Sequence, residues 1–122
     1  MLNKSILDNF KSKNVLVTGG TGMIGRQIVN ILCDNEANVK IVSLDKIIVD
    51  DRAEHIKADL INFDSCKKIT KNIDYVFHIA GIKGSIEVTK SRPASFFVPL
   101  VMMNTTILEA CKINNIEKLV YT

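Results

Sequence analysis

The glycines that follow the apolar segment 15–17 are the residues whose type and spacing point most clearly to chemistry. Gly20, Gly22 and Gly25 have the G-x-G-x-x-G spacing, in which glycines permit a tight turn, close approach of the backbone to a pyrophosphate, and close packing of a helix on a strand. A helical pattern follows at once, and the N–H groups at the start of a helix favour an anion. We therefore expect a cradle for the phosphates of a dinucleotide, formed by Gly19, Gly20, Thr21, Gly22, Met23, Ile24 and Gly25.

An acidic residue stands where a ribose would be recognised. The second strand pattern, 39–44, ends at Asp45, about 20 residues beyond the last glycine of the loop. Its carboxylate would accept a hydrogen bond from the 2′-hydroxyl of the adenosine ribose and would repel a 2′-phosphate, so NAD is expected rather than NADP. Lys46 and Arg26 are cations that could instead receive a 2′-phosphate, which keeps NADP as the alternative.

Composition restricts the class of protein. The 122 residues, 47% hydrophobic and 24% charged, fit one soluble domain over 1–122, which is short for a complete dinucleotide-dependent enzyme with a substrate domain. The net charge of +3 is too small to indicate a nucleic-acid partner. Cys33, Cys66 and Cys111 are too widely spaced for a disulfide framework or a metal site. Neither a signal peptide nor a segment of membrane-spanning length is expected, which predicts a cytoplasmic protein without a membrane partner.

Strand and helix patterns alternate along the chain. We predict strands at 15–17, 39–44, 55–58, 75–79 and 118–122, with helices between them. Such alternation predicts an α/β fold, a doubly wound parallel sheet in three αβα layers, with five strands in the order 3-2-1-4-5. The ligand would then bind where strands 1 and 4 part, with the glycine loop facing Ala80-Gly81 across one crevice.

The helices carry more detailed expectations. The helix after the glycine loop is expected to bury Ile24, Ile28, Ile31 and Leu32 against the sheet. Asn62 is predicted to cap a brief helix, and 81–93 is predicted to be a loop beside the cofactor. A long helix over 94–112 admits Pro99 only near its first turn. Its predicted core stripe consists of Leu100, Met103, Ile107 and Ala110, widened by Val101, Leu108 and Cys111.

Several of these segments resemble one family. Residues 18–25, TGGTGMIG, have the T-G-x-x-G-x-x-G form of the extended short-chain dehydrogenase/reductase family, the NAD-dependent epimerases and dehydratases of nucleotide sugars. Asp59-Leu60 is similar to that family's acid–apolar pair, whose carboxylate bonds the adenine amino group. His78-Ile79-Ala80-Gly81 resembles its His-Leu-Ala-Ala, in which small residues let the backbone lie along the cofactor. The resemblance thus adds five residues to the expected cofactor site, namely Asp59, Leu60, Ile79, Ala80 and Gly81, with His78 as a hydrogen-bonded core residue.

The chain departs from the family at two places. Leu100 and Thr106 stand where the family's helix usually carries asparagines, and neither Tyr75 nor Tyr121 is followed four residues later by the lysine of the family's Tyr-x-x-x-Lys segment. The resemblance therefore implies the cofactor-binding portion of a nucleotide-sugar epimerase, dehydratase or reductase, inactive alone. The alternative is a stand-alone NAD(P)-sensing module. The open edge of the fifth strand predicts a homodimer or larger self-association.

Overall fold

A five-stranded parallel sheet forms the centre of the molecule in the computed structural model, which describes residues 2–122. The strands are β1 (Asn14–Thr18), β2 (Asn38–Ser43), β3 (Glu54–Lys57), β4 (Tyr75–His78) and β5 (Lys118–Tyr121). The helices are α1 (Lys4–Leu7), α2 (Met23–Asp34), α3 (Phe63–Ile69), α4 (Ile86–Ser91) and α5 (Pro93–Ile113), with a 3₁₀ turn at Asp8–Phe10. The spatial order β3-β2-β1-β4-β5 confirms the predicted α/β fold and its strand order.

Two hydrophobic cores lie on opposite faces of the sheet. Side chains alternate along β1, so that Val15 and Val17 enter the core under α2 while Leu16 enters the core under α3 and α5. All three are fully buried, as expected for a central parallel strand covered by helices on both faces. The three-layer arrangement follows from this alternation. Cys33, Cys66 and Cys111 are buried free thiols within these cores.

The face that α2 buries differs from the predicted one. Its buried residues are Gly25, Val29, Leu32 and Cys33, whereas Ile24 and Ile31 are exposed and Ile28 is only partly buried. The reason is the close approach at Gly25, whose position against the backbone of Gly19 and Gly20 fixes the rotation of the helix about its axis. The prediction used hydrophobicity alone, and it placed the buried face of α2 about one residue away from its actual position around the helix.

Strand β4 is not evenly buried on its two faces. Val76 and His78 are buried, but Tyr75 and Phe77 on the opposite face are only partly buried. Phe10, from the N-terminal turn, covers them, and its ring centroid lies 5.6 Å from that of Tyr75 in an edge-to-face arrangement. The predicted cap of α3 is confirmed, because the Asn62 side chain accepts a hydrogen bond from the Ser65 N–H.

The segment 81–93 is not the continuous loop that was predicted. It contains α4, whose first turn is capped by the Ser85 hydroxyl accepting from the Val88 N–H at 3.2 Å. Helix α5 then starts at Pro93, so Pro99 lies inside the helix, beyond the first turn to which the sequence analysis confined it. The helix continues through Pro99 because its apolar residues further along are anchored in the core.

Helix α5 packs on the sheet through one stripe and leaves apolar side chains on its other side. Met103, Ile107, Ala110 and Cys111 are buried, whereas Val101 and Leu108 are about 40% exposed, at 39% and 41%. Because both sides are apolar, this helix of 21 residues reaches the length and mean hydropathy, 1.4 over its best window, of a membrane span. The expectation that no segment approaches that length was therefore wrong. A helix that packs in a protein core can have the same length and hydropathy, and the buried stripe of α5 packs on the sheet.

Candidate functional site

A cavity of about 610 Å³ opens at the carboxyl ends of β1, β2 and β4. The chain order reverses between β1 and β4, and this switch point is where open parallel sheets bind ligands. The volume lies within the usual range of small-molecule sites. The cavity is lined by Gly19, Thr21, Gly22, Val42, Ser43, Leu44, Asp45, Ala58, Asp59, Leu60, Ile61, Ile79, Ala80, Gly81, Ile82, Lys83 and Met103.

The glycine loop is packed so closely that side chains are excluded from it. Gly19 has a left-handed φ of +68°, and a Cβ atom there would lie 2.7 Å from Cα of Ala80. The loop and the end of β4 therefore touch, as predicted. A Cβ atom on Gly25 would collide with the carbonyl oxygen of Gly19, which is the close helix packing expected of the third glycine. The left-handed turn falls on Gly19, although the spacing had assigned the tight turn to Gly20.

The start of α2 presents backbone donors beside this loop. Gly22 is the N-cap residue, and no side chain caps the helix. The N–H groups of the first helical turn, at Met23, Ile24 and Gly25, have no acceptor within the helix. The Met23 and Ile24 side chains are exposed, at 85% and 55%. The arrangement offers an anion several N–H donors and the positive end of the helix dipole.

Asp45 is held at the edge of the cavity, just after β2. Its Oδ2 accepts a hydrogen bond from the Thr21 hydroxyl at 2.8 Å, and its Oδ1 accepts from the Ile47 N–H at 3.1 Å. These two bonds, the one from Ile47 foremost, lower the pKa of the Asp45 carboxyl, and the nearby charge of Lys83 acts in the same direction. The carboxylate is therefore negatively charged at neutral pH and already oriented by the protein.

A second carboxylate, that of Asp59, also lines the cavity, in the turn after β3. Oδ1 of Asp59 accepts a hydrogen bond from the Ile61 N–H at 3.0 Å, and its carbonyl accepts from the Asn62 N–H at 3.2 Å. Its Oδ2 accepts no hydrogen bond from any residue in the described part of the chain. The adjoining Leu60 is 5% exposed and lines the cavity with its apolar surface. This corner thus combines a hydrogen-bond acceptor with an apolar wall.

His78 is a buried link between β1, β4 and α5. Because Oδ1 of Asn104 can only accept, Nε2 of His78 donates to it at 2.8 Å, and Nδ1 then accepts from the Thr18 hydroxyl at 2.7 Å. The same hydroxyl oxygen accepts from the Ala80 N–H at 3.2 Å. Burial lowers the pKa of His78, so the ring is neutral. The prediction of a hydrogen-bonded core histidine is confirmed.

The cavity brings together most, but not all, of the residues predicted for the site. The predicted residues that do not line the cavity are Gly20, Met23, Ile24, Gly25 and Lys46. Gly20 and Gly25 shape the loop through their close packing, and Lys46 is exposed. The sequence analysis missed some lining residues altogether. Lys83 and Ile82 lie in the segment 81–93 that was expected beside the cofactor, so that prediction could have included them. The missed lining residues are Val42, Ser43, Leu44, Ala58, Ile61, Ile82, Lys83 and Met103.

A parallel sheet in this strand order, with a glycine loop and a helix start at its switch point, defines the Rossmann class of fold. Comparison with known proteins assigns the family. The chain belongs to the NAD dependent epimerase/dehydratase family, whose sequence profile matches residues 15–122. The resemblance to NAD-dependent epimerases and dehydratases is thereby confirmed.

Relatives of the chain include enzymes that act on UDP-sugars. It is 28% identical to a UDP-glucose 4-epimerase of Rickettsia bellii (strain OSU 85-389), over 91% of this chain and 36% of the relative. It is 30% identical to a UDP-glucose 4-epimerase of Yersinia enterocolitica, over 89% of this chain and 36% of the relative. The chain therefore spans little more than a third of the length of these relatives.

Solved structures agree in fold. The epimerase Mth375 from Methanothermobacter thermautotrophicus matches with a TM-score of 0.84 and 27% identity, over 96% of this chain and 37% of that one. MoeE5, solved in complex with UDP-glucose and NAD, matches with a TM-score of 0.78 and 28% identity, over 88% of this chain and 35% of that one. The matched region is again little more than a third of each larger protein.

Proposed function

We propose that this chain binds NAD and forms the cofactor-binding portion of a nucleotide-sugar epimerase, dehydratase or reductase. The observation that carries the proposal is that the glycine loop, the uncapped start of α2 and the Asp45 carboxylate all adjoin one cavity at the switch point of the sheet. These groups match successive parts of a dinucleotide: the N–H donors suit its pyrophosphate, and the carboxylate suits its adenosine ribose.

The residues present fit the cofactor in both shape and charge. Gly19 and Gly25 occupy positions where a Cβ atom would meet backbone atoms, so the cradle keeps its backbone accessible. In the proposed complex, N–H groups of the loop and of α2 hold the pyrophosphate, and the backbone at Ala80 and Gly81 lies along the cofactor. Asp59 and Leu60 would receive the adenine, with Oδ2 of Asp59 accepting from its amino group.

The charge at Asp45 favours NAD over NADP. Its lowered pKa keeps the carboxylate ionised, so it can accept a hydrogen bond from a ribose hydroxyl and repels a 2′-phosphate. Arg26 donates from Nε to the Thr21 carbonyl at 2.8 Å, which ties this cation to the glycine loop. Lys46 is exposed and does not line the cavity. Lys83, which lines the cavity, is the cation whose charge acts on the Asp45 carboxylate.

The cofactor, when bound, supplies hydride transfer to and from a sugar carbon. The names of the relatives support a UDP-sugar as the substrate of the complete protein, and the solved complex of MoeE5 contains both UDP-glucose and NAD. The 122 residues span little more than a third of the UDP-glucose 4-epimerases they match, and Tyr75 is not followed four residues later by a lysine that would hold down the pKa of a catalytic tyrosine. We therefore expect the 122-residue chain to bind the cofactor without turning over a UDP-sugar.

The test is the thermal unfolding midpoint of the chain without ligand, with NAD, with NADP and with ADP-ribose. A ligand that binds only the native state raises this midpoint, by an amount equivalent to about 2.7 kcal/mol at a hundredfold excess over Kd. We expect NAD and ADP-ribose to raise it to a similar extent, since the site residues face the adenosine half, and NADP to raise it less. No rise with NAD would refute the proposal, and 4-epimerase turnover of UDP-glucose by this chain would refute the expected inactivity.

A further inference from the structure

Thr106, on α5, contacts the turn that carries Asp59. Its hydroxyl has three carbonyl oxygens within reach, those of Met102 at 2.8 Å, Met103 at 3.0 Å and Leu60, the last being the shortest of the three contacts. A hydroxyl has one proton to donate. Of these three acceptors, the Leu60 carbonyl alone lies outside the helix, 46 residues away in the sequence, so this contact joins α5 to the turn after β3.

The Leu60 carbonyl belongs to the same peptide unit as the N–H that orients Asp59. This planar unit joins the carbonyl of Leu60 to the N–H of Ile61, so the two groups cannot turn independently. At one end the carbonyl accepts from Thr106 and from the thiol of Cys66 at 3.2 Å, and at the other end the N–H donates to Oδ1 of Asp59 at 3.0 Å. A bond that fixes the Leu60 carbonyl therefore also fixes Oδ1 of the Asp59 carboxylate. Oδ2 of Asp59 has no hydrogen-bond partner among the described residues.

We infer that Thr106 is a positioning residue for recognition of the adenine base. Its hydroxyl fixes the Leu60–Ile61 peptide, and that peptide holds the Asp59 carboxylate with Oδ2 directed to an exocyclic amino group. This inference rests on the proposed binding of NAD at the cavity. Thr106 thus has a positioning role at a place in the helix where the family usually carries asparagine.

Thr105 supplies a matched control on the next position of the same helix. Its hydroxyl is within hydrogen-bond distance of the Val101 and Met102 carbonyls, at 2.8 Å and 3.0 Å, and both belong to α5 itself. Replacing either threonine by valine removes one hydroxyl from α5 and keeps a β-branched side chain of the same size. Only the change at Thr106 removes a bond to the turn after β3.

The experiment compares the affinity for NAD with that for nicotinamide hypoxanthine dinucleotide, in which an oxo group replaces the adenine amino group. We expect the wild-type chain to prefer NAD by about tenfold or more, because the analogue presents an oxygen acceptor to the carboxylate at the position where adenine has an amino donor. Thr106→Val should reduce this preference to about threefold or less, Thr105→Val should leave it within about twofold of wild type, and Thr106→Ser should restore it. If Thr106→Val does not fold, Thr106→Ala takes its place.

Amide hydrogen exchange in the ligand-free chain gives a second readout. We expect the Ile61 amide to exchange about tenfold faster in Thr106→Val, and to be unchanged in Thr105→Val. A folded Thr106→Val chain that keeps the wild-type preference for NAD overturns the inference, even if exchange is faster, and leaves the proposed function intact. A wild-type chain that binds neither dinucleotide overturns the proposed function and this inference with it.

Discussion

The hydroxyl of Thr21 donates a hydrogen bond to Oδ2 of Asp45 at 2.8 Å, which joins the glycine loop after β1 to the end of β2. The N–H of Ile47 holds the other carboxylate oxygen. The carboxylate is thus oriented at the mouth of the cavity by groups of the protein alone, so a ribose hydroxyl would meet an acceptor whose position is already set.

Replacing Thr21 by valine removes one of the hydrogen-bond donors that lower the pKa of Asp45, the others being the Ile47 N–H and the Ser43 hydroxyl. We expect this pKa to rise toward its ordinary value in Thr21→Val, measured by NMR titration of the side-chain carboxyl. NAD affinity should fall by about two- to tenfold, because the carboxylate is less well held. Thr89→Val is the control, since the Thr89 hydroxyl bonds only within the α4 region, to Ser85. An unchanged Asp45 pKa would show that the Thr21 hydroxyl does not contribute to it.

Removing the carboxylate itself tests the choice of cofactor. In Asp45→Ala we expect NAD affinity to fall by about tenfold or more, because a charged hydrogen bond is lost, and NADP affinity to fall less, because a repulsive charge is lost as well. Titration calorimetry with both cofactors measures the two changes. Asp51→Ala, in the exposed turn before β3, should leave both affinities unaltered. Equal losses for NAD and NADP in Asp45→Ala would contradict the ribose assignment.

The glycine loop offers a direct test of steric exclusion. A methyl group on Gly25 would collide with the Gly19 carbonyl, whereas one on Gly81 would meet no atom within 4 Å. We expect Gly25→Ala to lower the free energy of unfolding by about 1–3 kcal/mol and to abolish the NAD-induced rise in the unfolding midpoint. Gly81→Ala should change the unfolding free energy by less than about 0.5 kcal/mol. Urea unfolding measures both, and equal losses would argue against the close packing at Gly25.

The buried histidine predicts a pH dependence of stability. Burial lowers the pKa of His78 below the ordinary 6.5, so the unfolded chain binds more protons in the interval between the two values. The stability that comes from keeping His78 neutral is therefore fully present above about pH 6.5 and is lost as the pH falls through the folded pKa, at up to about 1.4 kcal/mol per pH unit.

Urea unfolding of wild type and His78→Gln, on either side of pH 6.5, isolates this effect. The variant should lose less stability on acidification than the wild type, and taking the difference between the two removes contributions from other titrating groups. The same pH dependence in both chains would mean that the ring is accommodated in its charged form.

The exposed apolar residues of α5 bear on self-association. We propose that the chain forms a homodimer, through this outer face of α5 or through the exposed edge of β5. Sedimentation velocity measures the association. Lysine at Val101 and Leu108 should weaken it if α5 forms the contact, and lysine at Val120, which is 51% exposed on β5, should weaken it if the strand edge does. A strictly monomeric wild-type chain would contradict the proposal.

Much of the fold could be predicted because it follows from local pattern and from the handedness of crossover connections. The strand order followed from alternating strands and helices, right-handed crossovers and the glycine loop after the first strand, and Asp45 was located by its distance from the glycines. The buried face of α2 could not be predicted from the local sequence pattern. It depends on how closely Gly25 approaches Gly19, and that contact is set by three-dimensional packing rather than by the ranking of apolar side chains.

The hydrogen bonds of the threonine hydroxyls on α5 could not be predicted from the sequence either. A threonine inside a helix usually bonds a carbonyl of the preceding turn, as Thr105 does. Whether the hydroxyl of Thr106 turns to Leu60 instead depends on where α5 lies against the turn after β3. Nothing local to either residue distinguishes Thr106 from Thr105, since only the packed molecule brings the second carbonyl within reach.

Helix α5 makes polar contacts on both flanks of its buried stripe. Asn104 bonds His78 at the end of β4, and Thr106, about 200° further around the helix, bonds Leu60. Inserting or deleting one residue between Pro93 and Asn104 would rotate the rest of the helix by about 100° and shift it by about 1.5 Å, and both contacts would break together. Changes in the length of this segment should therefore be selected against over evolutionary time, whereas exchanges of single side chains elsewhere on α5 leave both contacts in register.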